Sequence, residues 1–214
     1  MAVLKTIAKL MPTGLRAFLK TKIKESTNAT EIAEWKKAGC PLPPPGSVKR
    51  KIIADLQKKN KFVFFIETGT YLGDMVNAQK NNFEKIYSIE LGVDLHKNAF
   101  KKFEAYKHIT ILQGDSGIVL KDLISKITSP AIFWLDGHYS EGITAKGDKD
   151  CPIYEELKAI FTSKINHVLL IDDARLFNGA NDYPTVKELG DFVLANRPKS
   201  TIAVNNDIIQ VVCA

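Results

Sequence analysis

Residues 62–73 read Phe62-Val63-Phe64-Phe65-Ile66-Glu67-Thr68-Gly69-Thr70-Tyr71-Leu72-Gly73. Five apolar residues make a buried strand, and a turn carrying Gly69 and Gly73 leads to a helix expected to open at Leu72. Such a strand, glycine turn and helix form the entry of a nucleotide-type α/β fold, in which glycines let a ligand approach the backbone closely. A dinucleotide site needs G-x-G-x-x-G, so that pyrophosphate rests on bare amides at a helix N-terminus. Here Glu67 stands at the first glycine position, giving E-x-G-x-x-x-G. A carboxylate there repels pyrophosphate and suits a cationic ligand, such as one with an ammonium and a sulfonium. An ordinary strand–turn–helix fits the same short stretch, so the rest of the chain has to decide.

Beyond this turn the alternation is regular. Strands are expected at 62–67, 85–90, 109–114, 131–136 and 167–172, with helices at 72–82, 92–105, 117–127, 153–163 and 185–196. Strands separated by helices of this length imply a parallel sheet with right-handed crossovers. The end differs: 200–205 and 207–213 flank Asn205-Asn206-Asp207 and read as an antiparallel hairpin. The expected class is α/β, a doubly wound and mostly parallel seven-stranded sheet closed by that hairpin. Its helical N-terminal arm precedes it.

The arm is set apart by charge. Residues 1–61 hold 14 Lys/Arg and 4 Asp/Glu, while residues 62–214 hold 16 and 20, so the net charge of +6 arises wholly ahead of the first strand. Residues 2–24 are amphipathic and basic, with a break expected near Pro12 and Gly14. Asn28 is expected to cap a short helix through Lys37. A linker with four prolines follows at 40–46, then a helix from Ser47 to about Lys59. The expected division is an arm and linker over 1–60 and a ligand-binding domain over 61–214. The arm would pack on the domain or on a twin subunit in a homodimer, or lie on an anionic membrane surface. Nucleic acid is disfavoured, because a nucleic-acid enzyme spreads basic residues around its catalytic face. With no signal core and no bilayer-length apolar run, the expected location is the cytoplasm. Cys40, Cys151 and Cys213 lack C-x-x-C spacing and read as reduced structural residues.

Ligands of open parallel sheets bind beyond the carboxyl ends of the strands. The first strand delivers Glu67 and a turn formed by Gly69, Thr70, Tyr71 and Gly73. The second ends in Glu90, placed to accept bonds from ribose hydroxyls. The third ends Gln113-Gly114-Asp115-Ser116, where Asp115 and Ser116 either read an adenine amino group or cap the next helix. Together these strand ends point to S-adenosylmethionine. The fourth strand ends Leu135-Asp136-Gly137-His138-Tyr139 and the fifth Ile171-Asp172-Asp173, on neighbouring strands. Carboxylates massed there call for a hard divalent cation with oxygen ligands, Mg²⁺ first. Otherwise Asp136 contacts the cofactor and Asp172 and Asp173 cap a loop. The unperturbed pKa of a histidine side chain, about 6.5, suits proton abstraction at neutral pH, and His138 follows Asp136 by two residues.

At these residues the chain resembles the class I S-adenosylmethionine-dependent methyltransferases. Glu67 to Gly73 is similar to their first motif, with Glu90, Asp115 and Asp136 at the later strand-end motifs. Leu135 to Tyr139 with Ile171 to Asp173 is similar, more narrowly, to the macrocin and mycinamicin sugar O-methyltransferases. The resemblance covers about residues 60–214. It implies Mg²⁺ held by Asp136, Asp172 and Asp173, cofactor contacts from Asp136, His138 as catalytic base, and a sugar or other small-molecule or glycan hydroxyl as acceptor. At 214 residues the chain is expected to be without the extra domain that some relatives use to oligomerise. Its segment from Tyr139 to Pro152 would serve as a lid, with Arg175 to Tyr183 as the opposite wall. Two readings from other classes stand beside this one: a non-catalytic or membrane-associated binding module on the same fold, and an RNA or DNA methyltransferase using the basic arm.

Overall fold

The computed structural model describes residues 13–137 and 151–214, and leaves out the side chains of residues 13–21 and 23–25. In chain order the elements are α1 (Thr13–Lys37), α2 (Gly46–Asn60), β1 (Phe64–Thr68), α3 (Asp74–Gln79), β2 (Lys85–Glu90), α4 (Val93–Phe103) and β3 (Ile109–Gln113). They continue with α5 (Ser116–Leu123), β4 (Ala131–Leu135), α6 (Ile153–Phe161), β5 (Val168–Ile171), α7 (Val186–Asn196), β6 (Thr201–Asn205) and β7 (Ile208–Val212).

The strands form one seven-stranded sheet in the order β3-β2-β1-β4-β5-β7-β6. β1 to β5 pair parallel, and β7 runs antiparallel to both β5 and β6. This is the doubly wound sheet with a closing hairpin that the alternation implies. The chain works outward from β1 to β3, then returns to the other side of β1 to lay down β4 and β5. The reversal opens a crevice at the carboxyl ends of β1 and β4, where such sheets bind ligands.

The apolar runs of the parallel strands are needed because both faces are covered. On one face Ile66, Ile89, Phe133, Leu135, Leu169 and Ile171 pack with Leu120 of α5, Leu157 and Ile160 of α6 and Val193 of α7. On the other face Phe65, Ile86, Ile132, Trp134 and Leu170 pack with Ile53, Val76, Ala99 and Phe103. A one-residue slip would exchange the two sets, so the register is strongly fixed. α7 begins on a capping box, with Thr185 Oγ1 accepting from the Glu188 amide and the Glu188 carboxylate accepting from the Thr185 amide.

Several helix boundaries differ from expectation: besides two starts, α3 ends at Gln79 rather than at 82 and α5 at Leu123 rather than at 127. Asn28 lies inside α1 rather than at a helix start, because α1 runs unbroken from Thr13 to Lys37 across Gly14. Pro12 and residues 2–11, where most of the amphipathic pattern falls, lie outside the described residues. The helix expected at Leu72 starts at Asp74 instead, because Gly73 is left-handed at φ 71° and cannot belong to it. The chain divides into two compact units between Lys49 and Arg50, within α2. In the first, Trp35 is buried and its Nε1 donates to the Pro41 carbonyl at 2.8 Å, which ties the proline-rich segment down. Among the described residues no helix is long and apolar enough to cross a membrane. Cys151 and Cys213 are buried free thiols and Cys40 an exposed one.

His167, ahead of β5, is buried edge-on against Phe133, with Nε2 3.1 Å from Ser163 Oγ. Burial, helped by the Arg197 charge, lowers its pKa to about 4. In the unfolded chain the ring takes up its proton near pH ~6.5. The native state therefore binds fewer protons between those values, and stability falls as the pH drops through that window. Urea midpoints of wild type should decline from pH 7 to pH 4 more steeply than those of His167→Phe; parallel profiles would contradict this.

Candidate cofactor and metal site

The glycine turn is set by backbone bonds to its neighbour β2. The amides of Gly69 and Thr70 both donate to the Ile89 carbonyl, at 2.9 and 3.2 Å, and Gly73 donates to the Thr70 carbonyl at 2.7 Å. Gly69 sits at φ 82°, and a Cβ there would overlap the Asp136 carbonyl oxygen. A Cβ on Gly73 would come 2.7 Å from the Phe103 ring. Both glycines are therefore required for close approach as well as for backbone freedom. Lys102 Nζ closes the outer side of the turn on the Leu72 carbonyl at 2.6 Å. The Tyr71 and Leu72 side chains stand exposed beside it.

Glu67 does not project into the turn as the sequence pattern suggests. It lies one residue inside β1, paired with Ser88 of β2 and Trp134 of β4, and is 2% exposed. Ser88 Oγ donates to Glu67 Oε2 at 2.5 Å, and Thr70 Oγ1 lies 2.6 Å from Ser88 Oγ. If Ser88 donates to the carboxylate, Thr70 donates to Ser88, so the chain of hydroxyls ends on Glu67. Burial holds the Glu67 pKa well above the usual carboxylate range. The Ser88 bond opposes that shift, and the charges of Asp136, Glu90 and Asp74 add to it. A carboxyl in this position regains its charge most readily beside a cation.

Glu90, at the end of β2, is also buried, and both its oxygens are engaged. Oε2 accepts from the Tyr71 amide and Oε1 from the Gly92 amide, each at 2.8 Å. These bonds fix the carboxylate and leave each oxygen a further lone pair for a ligand hydroxyl. At the end of β3 the Gly114 amide donates to the Glu90 carbonyl at 3.0 Å, which places Asp115 and Ser116 next in line. Asp115 caps α5, with Oδ1 accepting from the Ile118 amide at 3.2 Å. Ser116 is buried and donates to Glu156 Oε1 of α6 at 2.5 Å.

The ends of β4 and β5 bring the three aspartates together. The Asp136 amide donates to the Thr68 carbonyl and to Thr68 Oγ1, both at 3.2 Å, and the Asp172 amide donates to the Leu135 carbonyl at 3.0 Å. One carboxylate oxygen from each of Asp136, Asp172 and Asp173 lies within 4.8 Å of the others. Asp172 is buried and the other two are half-buried. Three hard oxygen donors on converging strand ends fit a divalent ion of the Mg²⁺ or Ca²⁺ type. Asp173 is held in the left-handed region at φ 55°, and its Oδ1 accepts from Arg175 Nη1 at 2.8 Å. The same Nη1 contacts Oδ2 of buried Asp207, whose Oδ1 accepts from the Arg175 amide at 2.8 Å. Asp207, in the sequence only a residue of the hairpin turn, thus clamps the loop that presents Asp173.

His138 and the lid segment through Asp150 lie outside the described residues. Glu156, Ser88 and Thr68 were not singled out by sequence pattern, and Arg175 and Asp207 entered only as parts of a wall segment and a hairpin turn. Only the polar intrusions of Ser88 into an apolar strand and of Glu156 into an apolar helix face could have drawn notice.

No protein-family model matches the chain, and no curated protein matches it. Solved structures do. The O-methyltransferase TomG of Streptomyces achromogenes, involved in tomaymycin synthesis and solved with SAM, superposes with a TM-score of 0.58 at 15% identity. The match covers 87% of this chain and 88% of that one. The fold is that of the class I methyltransferases. An O-methyltransferase of Bacillus cereus in complex with SAH matches at 0.55 and 16% identity, over 100% and 98% of the two chains. The SAH-bound Podospora anserina methyltransferase PaMTH1 matches at 0.57 and 14% identity, over 96% and 98%.

The buried Glu67 makes a testable difference to the ligand-free protein. Its folded pKa exceeds its unfolded one, so the native state holds the extra proton and stability falls as pH rises from about 4.3 towards the folded pKa. Glu67→Gln removes that loss. Its urea midpoint should equal that of wild type near pH 4 and exceed it at higher pH. A constant difference across the range would contradict the burial of a poorly solvated carboxyl.

Proposed function

We propose that the chain is an S-adenosylmethionine-dependent O-methyltransferase, assisted by Mg²⁺, that acts on a hydroxyl of a sugar or other small-molecule or glycan acceptor. The observation that carries this reading is the convergence of Asp136, Asp172 and Asp173 on the same sheet edge as the fixed carboxylates Glu67 and Glu90. One edge thus offers anionic groups to a sulfonium nucleoside and to a dication side by side. Tomaymycin-pathway TomG and the Bacillus cereus enzyme, both O-methyltransferases solved with SAM or SAH, support the reaction type.

In this reading the backbone of Gly69, Thr70, Tyr71 and Gly73 lines the cofactor, with buried Glu67 behind the turn, on the side of the cofactor's cationic end. Glu90 accepts the ribose hydroxyls, and Asp115 and Ser116 border the adenine. Asp136 meets the cofactor and, with Asp172 and Asp173, holds the metal. A divalent ion bound there supplies Lewis acidity, lowering the pKa of an acceptor hydroxyl. Methyl transfer breaks the S–CH₃ bond and forms an O–CH₃ bond. The departing thioether is neutral, so no general acid is needed. The hydroxyl proton must leave, and His138, two residues beyond Asp136, is the proposed base. The basic arm ahead of the sheet is proposed to meet an anionic membrane surface or a twin subunit, and the protein to work in the cytoplasm.

Against a panel of hydroxylated sugars, release of S-adenosylhomocysteine should require Mg²⁺, stop in EDTA and return when Mg²⁺ is restored. Full activity in chelator would remove the metal from the reaction. His138→Ala should keep cofactor affinity within about twofold while turnover falls by about 10²-fold or more. An unchanged kcat would exclude it as the base.

A further inference from the structure

α6 carries a buried carboxylate in its first turn, where an acid suits the helix dipole but core packing does not call for one. Glu156 sits in its first turns, 2% exposed, on a helix whose other inward positions are Ile153, Leu157, Ala159 and Ile160. A charged side chain is rarely buried so fully without a specific partner. One such partner is Ser116, whose hydroxyl donates to Glu156 Oε1 at 2.5 Å. The same oxygen borders the end of β4: a Cβ on Gly137 would stand 2.9 Å from it and 3.1 Å from Thr68 Oγ1. Thr68 Oγ1 in turn accepts from the Asp136 amide. α6 also packs directly on α5, where a Cβ on Gly117 would come 2.6 Å from Glu155 Cβ. Glu156 therefore reaches from one helix to the end of β3 and the end of β4 together.

We propose that Glu156 is a positioning residue for the cofactor: through Ser116 it fixes the strand-end turn that borders the adenine, at a set distance from the Asp136–Gly137 strand end. This rests on the methyltransferase reading above. The bond is well suited to the task. A hydroxyl bound to a carboxylate is a strong, short interaction, and at a buried site it holds one rotamer. Without it Ser116 loses the partner that orients its hydroxyl, and α5 loses a tether at its first residue. The ordering that Glu156 now supplies in advance would have to be met when ligand binds, so affinity for the nucleoside falls. Glu156→Gln keeps an acceptor oxygen for Ser116 at nearly the same place. Ser116→Ala removes the other half of the bond with a minimal change in volume.

The test is calorimetric titration of S-adenosylhomocysteine into the full chain as wild type, E156Q, E156A, S116A and E156A/S116A, with urea unfolding of each as a check of folding. S116A and E156A should each bind about tenfold more weakly than wild type. The double variant should be no weaker than the worse single one, since both remove one interaction. E156Q should return to within about threefold of wild type, a rescue that a loss of packing alone would not give. Folded S116A with wild-type affinity, or additive losses in the double variant, would overturn the role of Glu156. A wild-type chain that fails to bind S-adenosylhomocysteine would overturn the methyltransferase reading itself and this inference with it.

Discussion

Everything at the ligand end of this molecule depends on the crowding of carboxylates at one edge of a parallel sheet. Glu67 lies next to last in β1 and Glu90 ends β2, while Asp136, Asp172 and Asp173 follow β4 and β5, all on the side where the strands end. Like charges brought together in a poorly solvated place oppose one another and oppose folding. The sheet does not avoid that cost; it contains it with fixed donors. Glu90 takes two backbone amides, Glu67 a serine hydroxyl, and Asp173 a guanidinium that is itself anchored on a buried aspartate. What this containment leaves is an edge prepared for positive charge.

The position of that edge was legible in the sequence because it follows from topology. Regular alternation of apolar strands with helices implies parallel crossovers, and parallel crossovers put every strand end on one side. The hairpin was legible for the same kind of reason, since two β-rich runs around Asn205-Asn206-Asp207 allow little else. Local conformation was harder. The α3 boundary turned on a left-handed Gly73, and the fate of Asn28 turned on whether a helix begun at Thr13 would continue through it.

The meeting of Asp136 with Asp172 and Asp173 was legible because neighbouring strands end there, but hydrogen-bond pairings distant in sequence were not. Nothing near Glu67 reveals that its carboxylate turns sideways to Ser88, 21 residues later, rather than out into the turn. Asp207 looked like turn chemistry, and turn residues of that type need no tertiary role. Its side chain nevertheless holds Arg175, and through it the loop of Asp173. Glu156 was hidden for a related reason: it reads as one acid among the charged residues of a helix until α6 is laid against α5. The residues that present the site were visible one by one, whereas those that hold it rigid became visible only through the fold.

The central claim is that this edge is built for a sulfonium nucleoside beside a dication. The most direct measurement is a crystal structure of the full chain grown with S-adenosylhomocysteine and Mn²⁺, with diffraction collected to reveal the anomalous signal of manganese. The account requires the ribose hydroxyls on Glu90 and a manganese peak among Asp136, Asp172 and Asp173. A nucleoside bound elsewhere, or manganese absent from the three aspartates while the cofactor is in place, would contradict it.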